Sequence, residues 1–179
     1  MKNLTSLIIL VLLSSELLAQ TSLNDTIHWR AQRPLTYDDF KGEAMEFTGF
    51  VGENFCLLSA NYNRPNTFAK TEYQIEAIWD RQKSWLAKDA QTKESLLFFQ
   101  VCFDIYELHA RLLRKKCAEF PRNTDPTQIL QPTYNQAMSG LMEEYNMFRK
   151  ETKMGSDSEA VLAWSDAIRQ KLDQLQEFK

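Results

Sequence analysis

Two patterns of apolar and polar positions divide this chain. In the first half apolar residues alternate with polar ones. Phe55–Tyr62 puts Cys56, Leu58, Ala60 and Tyr62 on one face, and Thr71–Trp79 puts Tyr73, Ile75, Ala77 and Trp79 on one face. The turn-forming run Asn63-Arg64-Pro65-Asn66 lies between them, so the two segments are expected to pair as an antiparallel hairpin. Ile27–Arg30 is a further short strand candidate. From about Thr92 the period becomes helical and runs to Phe120, where Pro121 closes it. Its middle, Leu96–Tyr106, is apolar almost all round, broken only by Gln100 and Asp104, which predicts a helix buried on most sides.

Asn123–Pro132 reads as a polar loop with two prolines. Tyr134, Ala137, Met138, Leu141, Met142, Tyr145 and Phe148 mark the stripe of a second helix, in a region that Gly155 ends. Ser156 and Glu159 have the spacing of a capping box for a third helix, with the stripe Val161, Trp164, Ile168, Leu172 and Leu175. Strands first and helices later predict an α+β domain with an N-terminal antiparallel sheet, a long central helix and C-terminal helices packed beside it.

The N-terminus follows a different logic. Lys2, the short apolar run Leu7–Leu13 and the small residue at Leu17-Leu18-Ala19 read as a secretory signal spanning residues 1–19. A retained anchor is the alternative, although the run is short for a bilayer span. The reading therefore gives an exported, periplasmic or secreted chain with one domain over residues 20–179 and no later membrane insertion. Lys2 and Glu16 cancel, so the mature net charge stays at −3, which supplies no footprint for nucleic acid.

Three cysteines are present, Cys56, Cys102 and Cys117. The last two share the long helix at a separation of about 22 Å, beyond disulfide reach, so any bridge must use Cys56. All three stand in apolar contexts, which favours buried thiols over a disulfide scaffold.

Four stretches carry a resemblance. Leu35–Gly42 (LTYDDFKG), with Trp29 before it, is similar to a Leu-Thr-Trp-x-Asp-Phe-Lys-Gly segment. Ala77–Trp85 (AIWDRQKSW) is similar to a segment ending Lys-Ser-Trp. Leu96–Lys115 resembles a helix of pattern Leu-Leu-x-His-Glu-Gln-x-His-Phe-Asp-Ile, followed by Glu, Ala-Arg and Arg-Lys. Tyr145–Trp164 resembles a Glu-Thr-x-His-Gly segment followed by Trp. In this order they characterise a family of secreted bacterial proteins of unknown function that are predicted zinc-dependent, zincin-like peptidases.

That resemblance implies chemistry. Two histidines at i and i+4 on one helix face grip a zinc, and the glutamate after the first serves as general base on metal-bound water. The family's later histidine is the third ligand that the resemblance implies. This chain departs from the pattern at each of those positions. Phe98 and Cys102 stand for the two histidines, Phe99 for the glutamate and Met154 for the later histidine. Gln100, Phe103, Asp104, Ile105, Glu107, Ala110, Arg111, Arg114 and Lys115 match, as do Glu151, Thr152 and Gly155.

Orphaned polar ligands in a buried site are costly, whereas Phe98, Phe99, Cys102 and Met154 are apolar and adaptable enough to close it into core, with Phe98 approaching Met154. The expectation is a non-catalytic exported protein without metal or cofactor that binds an unidentified protein or peptide, or has a structural role, in the cell envelope. The alternative is a hydrolase with a relocated or residual site around Cys102 and His109, or a subunit that presents an apolar helix face to another protein. Cys102 and His109 lie about 10 Å apart along one helix, too far for a shared proton or metal.

Gln100, Asp104, Glu107, His109 and Arg111 could line a remaining cleft. Glu107 and Arg111, at i and i+4, are also expected to form an ion pair on the helix surface. The adjacent pair Asp38-Asp39 is expected to serve a turn or cap.

Overall fold

The structure, a computed structural model, describes residues 25–44, 51–66, 68–122 and 124–179. The expected signal segment at residues 1–19 lies outside them. The chain is α+β. Its strands are β1 (Thr26–His28), β2 (Gly52–Glu53), β3 (Cys56–Asn63), β4 (Glu72–Asp80) and β5 (Trp85–Leu86), and its long helices are α1 (Lys93–Ala118), α2 (Pro126–Glu151) and α3 (Ser158–Gln174).

The alternating segments pair as their side-chain period requires. In the β3–β4 register Cys56 faces Trp79, Leu58 faces Ala77, Ala60 faces Ile75 and Tyr62 faces Tyr73. The two apolar faces thus fall on the same side of the sheet. β1 adds to the other edge of β4, giving the order β1-β4-β3, all antiparallel. A second pair, β2 with β5, was not anticipated. Two-residue strands are too short to show a period.

α1 begins on a reciprocal cap. The Thr92 hydroxyl accepts from Ser95 N at 3.1 Å, and Ser95 Oγ accepts from Thr92 N at 3.0 Å. Glu94 in the first turn and Lys115 and Lys116 in the last complement the helix dipole. The run Phe98, Phe99, Val101, Cys102, Phe103 is buried in its entirety, because α1 meets β3 and β4 as well as α2 and α3. A segment covered on so many sides leaves no room for a broad polar face.

Of the expected polar loop at Asn123–Pro132, the part from Pro126 onward is instead the first two turns of α2. Asp125 caps it by accepting from Thr127 N at 2.9 Å, and Pro126 occupies the first turn, where a missing N–H costs nothing. Pro132 lies inside the helix and forgoes one ladder bond. Buried Leu130 and the Tyr134 hydroxyl, which donates to Leu58 O at 2.9 Å, hold this turn against β3. Tertiary contact has overridden the local breaker signal.

The start of α3 also differs from expectation. Asp157 caps it, accepting from Ala160 N at 3.2 Å, while Ser156 Oγ turns back to donate to Lys153 O at 2.8 Å.

Within Leu35–Gly42, Asp39 organises the turn. Its carboxylate accepts from Thr36 N at 2.9 Å and from Arg33 Nη2 at 2.8 Å, with Arg81 Nε 3.2 Å away. Burial opposes its charge, yet the Arg33 and Thr36 donors hold the carboxyl below the ordinary aspartate range. The expected cap role is what it plays. Trp79, fully buried at the centre, donates its indole N–H to Asp39 O at 2.9 Å.

Candidate functional site

A cleft of about 570 Å³ opens between β2, the start of α1 and the α2–α3 junction. Phe98, Phe99, Tyr106 and Tyr145 line it from the helices, Gly52, Asn54 and Cys56 from the strand side, and Arg149, Met154 and Gly155 from the junction. Three of the four positions that depart from the zinc pattern, Phe98, Phe99 and Met154, therefore open onto one cavity although they are up to 56 residues apart. Cys102, the fourth, is fully buried beneath it, one helical turn from Phe98.

Each of these side chains has a definite packing partner. Phe98 stacks on Phe148 with ring centroids 5.0 Å apart and meets Phe99 edge-on at 5.3 Å. Phe99 continues to Phe40 at 5.1 Å and to Trp79 at 6.4 Å. Met154 was expected against Phe98. The two line the same cleft, where Met154 is 44% exposed and its sulfur accepts from Arg149 Nε at 3.3 Å.

The backbone against Phe98 belongs to Gly155. The α2–α3 junction runs Lys153, Met154 and Gly155 with φ of 50°, 59° and 87°. A Cβ on Gly155 would stand 2.9 Å from the Phe98 ring, so both conformation and space demand glycine. Gly155→Ala is expected to destabilise the fold by about 2 kcal/mol through combined αL strain and overpacking, read from urea unfolding. A variant as stable as the parent would remove this account of the junction. Gly52 is constrained by space alone: a Cβ there would lie 2.9 Å from Leu86 Cδ1 and from Phe99 Cζ.

The polar groups of the cleft form a chain. Tyr145 donates to Asn54 Oδ1 at 2.9 Å, and Asn54 Nδ2 donates to Cys56 Sγ at 3.4 Å. Burial pushes the Cys102 thiol up to about 12 and the Cys56 thiol well above its usual value, so both stay protonated at neutral pH. All three cysteines are free. Of the four zinc-pattern positions only Cys102 carries a ligating atom of the usual kind, and its thiolate is disfavoured. Among the described residues no three His, Cys, Asp or Glu side chains are grouped to hold a metal. The donor set does not fit zinc.

None of the five polar α1 residues, Gln100, Asp104, Glu107, His109 and Arg111, is among those lining this cleft. They serve two interior networks and one interhelical link. Asp104 Oδ1 accepts from Trp29 Nε1 and from Gln100 Nε2, both at 2.7 Å, and Gln100 Oε1 accepts from Leu35 N at 2.7 Å. Burial raises the Asp104 carboxyl pKa despite those donors. Glu107 takes Arg111 Nε at 2.9 Å and Arg114 Nη1 at 3.0 Å, so the expected i,i+4 pair forms. It lies in the interior and not on the surface, since Glu107 is 2% and Arg111 3% exposed. The Arg111 guanidinium also lies 5.1 Å over the Trp29 ring.

His109 Nε2 lies 2.8 Å from Glu144 Oε2, and Lys171 Nζ reaches Glu144 Oε1 at 2.6 Å, linking the three helices. Burial opposes the Glu144 charge, but these two partners hold its carboxyl below the ordinary range. The cleft residues Asn54, Tyr145 and Arg149 carried no chemical motif in the sequence; each becomes visible only when β2 is folded against α2.

The chain was compared with known protein families, curated proteins and solved structures, and it matches none of them.

Proposed function

We propose that this chain is an exported, non-catalytic relative of zincin-like metallopeptidases that keeps the scaffold and a binding groove without metal chemistry. One observation carries the reading: the residues that match the zinc-peptidase pattern hold the frame, while those that depart from it gather at one cavity. Trp29 and Gln100 secure Asp104, Asp39 secures the Thr36 turn, and Ser84 Oγ accepts from Phe55 N at 2.9 Å. Thr152 donates to Phe148 O at 2.7 Å, and Glu151 accepts from Trp164 Nε1 at 2.8 Å. Against this, Phe98, Phe99 and Met154 share the cleft and Cys102 underlies it. Loss of ligands with retention of frame is the expected mark of a scaffold kept for binding. Among the described residues no helix is long and apolar enough to cross a membrane.

Metal content tests the reading. The purified chain is expected to carry no zinc above background after exposure to excess zinc. Restoring the pattern with Phe98→His, Phe99→Glu, Cys102→His and Met154→His is expected to add one zinc per chain. A parent chain that holds stoichiometric, protein-ligated zinc would overturn the proposal.

A further inference from the structure

Among the described residues the cleft contains one cation, and its hydrogen-bonding capacity is largely unused. Arg149 lies 5.4 Å over the Tyr145 ring and donates its Nε to Met154 Sδ. Its two terminal nitrogens engage no acceptor among the described residues. Arg33, Arg81, Arg111 and Arg114 instead pair with carboxylates. A guanidinium held over an aromatic ring, with its outer edge free, presents the planar fork that suits a carboxylate. The wall beside it is aromatic, formed by Phe98, Tyr106 and Tyr145, and among the described residues the acidic side chains lining the cleft, Glu53 and Glu94, are exposed.

The strand side adds backbone groups. Ala87 N donates to Val51 O at 2.8 Å, which makes Val51–Ala87 a hydrogen-bonded pair of the β2–β5 ladder. Gly52, opposite Leu86, is then a non-hydrogen-bonded position, and its N–H and C=O point away from β5. It lines the cleft.

We propose that this cleft receives the apolar carboxyl-terminal end of a polypeptide, with Arg149 binding the terminal carboxylate, the last side chain resting on the Phe98–Tyr145 wall and a peptide unit meeting Gly52. The inference rests on the cleft being a binding groove, as proposed above. A fatty acid shares the carboxylate and the apolar body but would leave the Gly52 backbone unpaired, so the peptide is the better fit.

The test uses the mature chain and a fluorescein-labelled peptide Gly-Ser-Gly-Ser-Ala-Val-Leu with a free carboxyl end, its carboxyl-terminal amide, and decanoate as competitor, read by fluorescence anisotropy. The free acid is expected to bind about tenfold or more tightly than the amide, as a charge-assisted hydrogen-bonded contact implies. Arg149→Gln, on a half-exposed side chain, is expected to abolish that difference while leaving thermal unfolding unchanged, and Arg149→Lys to restore part of it. Equal binding of acid and amide, no binding of either at millimolar concentration, or no effect of Arg149→Gln would overturn the proposal. Decanoate binding without peptide binding would overturn it in favour of a lipid. Chromatography of the peptide after incubation keeps the two readings apart: cleavage would sink the non-catalytic assignment and leave the carboxylate preference standing.

Discussion

Glu107→Ala is expected to destabilise the protein by about 3–5 kcal/mol, the usual cost of removing one partner from a buried ion pair. The Glu107 carboxylate is shared by Arg111 and Arg114, and Arg111 is as buried as its partner. Without the carboxylate Arg111 would be left as an uncompensated charge beneath Trp29. The damage should also spread. Arg111 Nη1 donates to Leu172 O at 2.7 Å, and Arg114 donates to Ile75 O and Phe178 O, both at 2.9 Å. One carboxylate thus orients two arginines that tie α1 to β4, to the last turn of α3 and to the short 3-10 turn Gln176–Phe178 that follows it. Urea unfolding gives the magnitude, and amide exchange across Leu172–Phe178 should accelerate first. Glu107→Gln, which keeps an acceptor in place, should cost less. A loss below about 1 kcal/mol for the alanine variant would mean that water or movement of the arginines relieves the charge, and that the network is less buried than its geometry indicates.

Trp79→Ala should rank beside it, with a loss of about 3–5 kcal/mol. The indole is fully buried and sits edge-on to Phe40 at 5.2 Å, near Phe99 at 6.4 Å and near Phe103 at 5.7 Å. Alanine would open a large void where the sheet meets α1 and would orphan the Asp39 carbonyl as well. Trp79→Phe, which loses the hydrogen bond but refills most of the space, should cost clearly less. Because Phe99 belongs both to this cluster and to the cleft, the alanine variant should also weaken any ligand bound there. Chemical denaturation of both variants checks the ranking, and equal losses for alanine and phenylalanine would place the weight on the hydrogen bond and not on packing.

These two residues illustrate what the matching segments do. Asp39, Trp29, Gln100, Asp104, Glu107 and Arg111 all fall in stretches that resemble the zinc-peptidase pattern, and each is engaged in the interior frame. On the relationship proposed above, such a frame kept around apolar residues would mean that stability and chemistry have come apart. The polar residues of α1 suggest a site when read along the helix. In space they are spent on one another, on Trp29 and on the neighbouring elements.

Much of the architecture was determined locally. A side-chain period of two set the facing positions of β3 and β4, since any one-residue slip would turn their apolar faces outward. The apolar run of Leu96–Tyr106 required a central, enclosed helix. The fifteen-residue spacing of Cys102 and Cys117 excluded a bridge between them. The cap role of Asp39 followed from its place in a turn.

Only the tertiary structure decided the rest. Leu130 and Tyr134, held by β3, carried α2 back through Pro132 to Pro126, where local preference alone would have left a loop. Burial turned the Glu107–Arg111 pair from a surface ornament into an interior crosslink, because the enclosure of α1 by sheet and helices is a property of the assembled layers. Formation of the cleft likewise depended on bringing Gly52, Phe98, Arg149 and Gly155 together, residues separated by up to 103 positions. Periodicity reaches only a few residues along a chain. A cavity is defined by what long-range packing leaves unfilled.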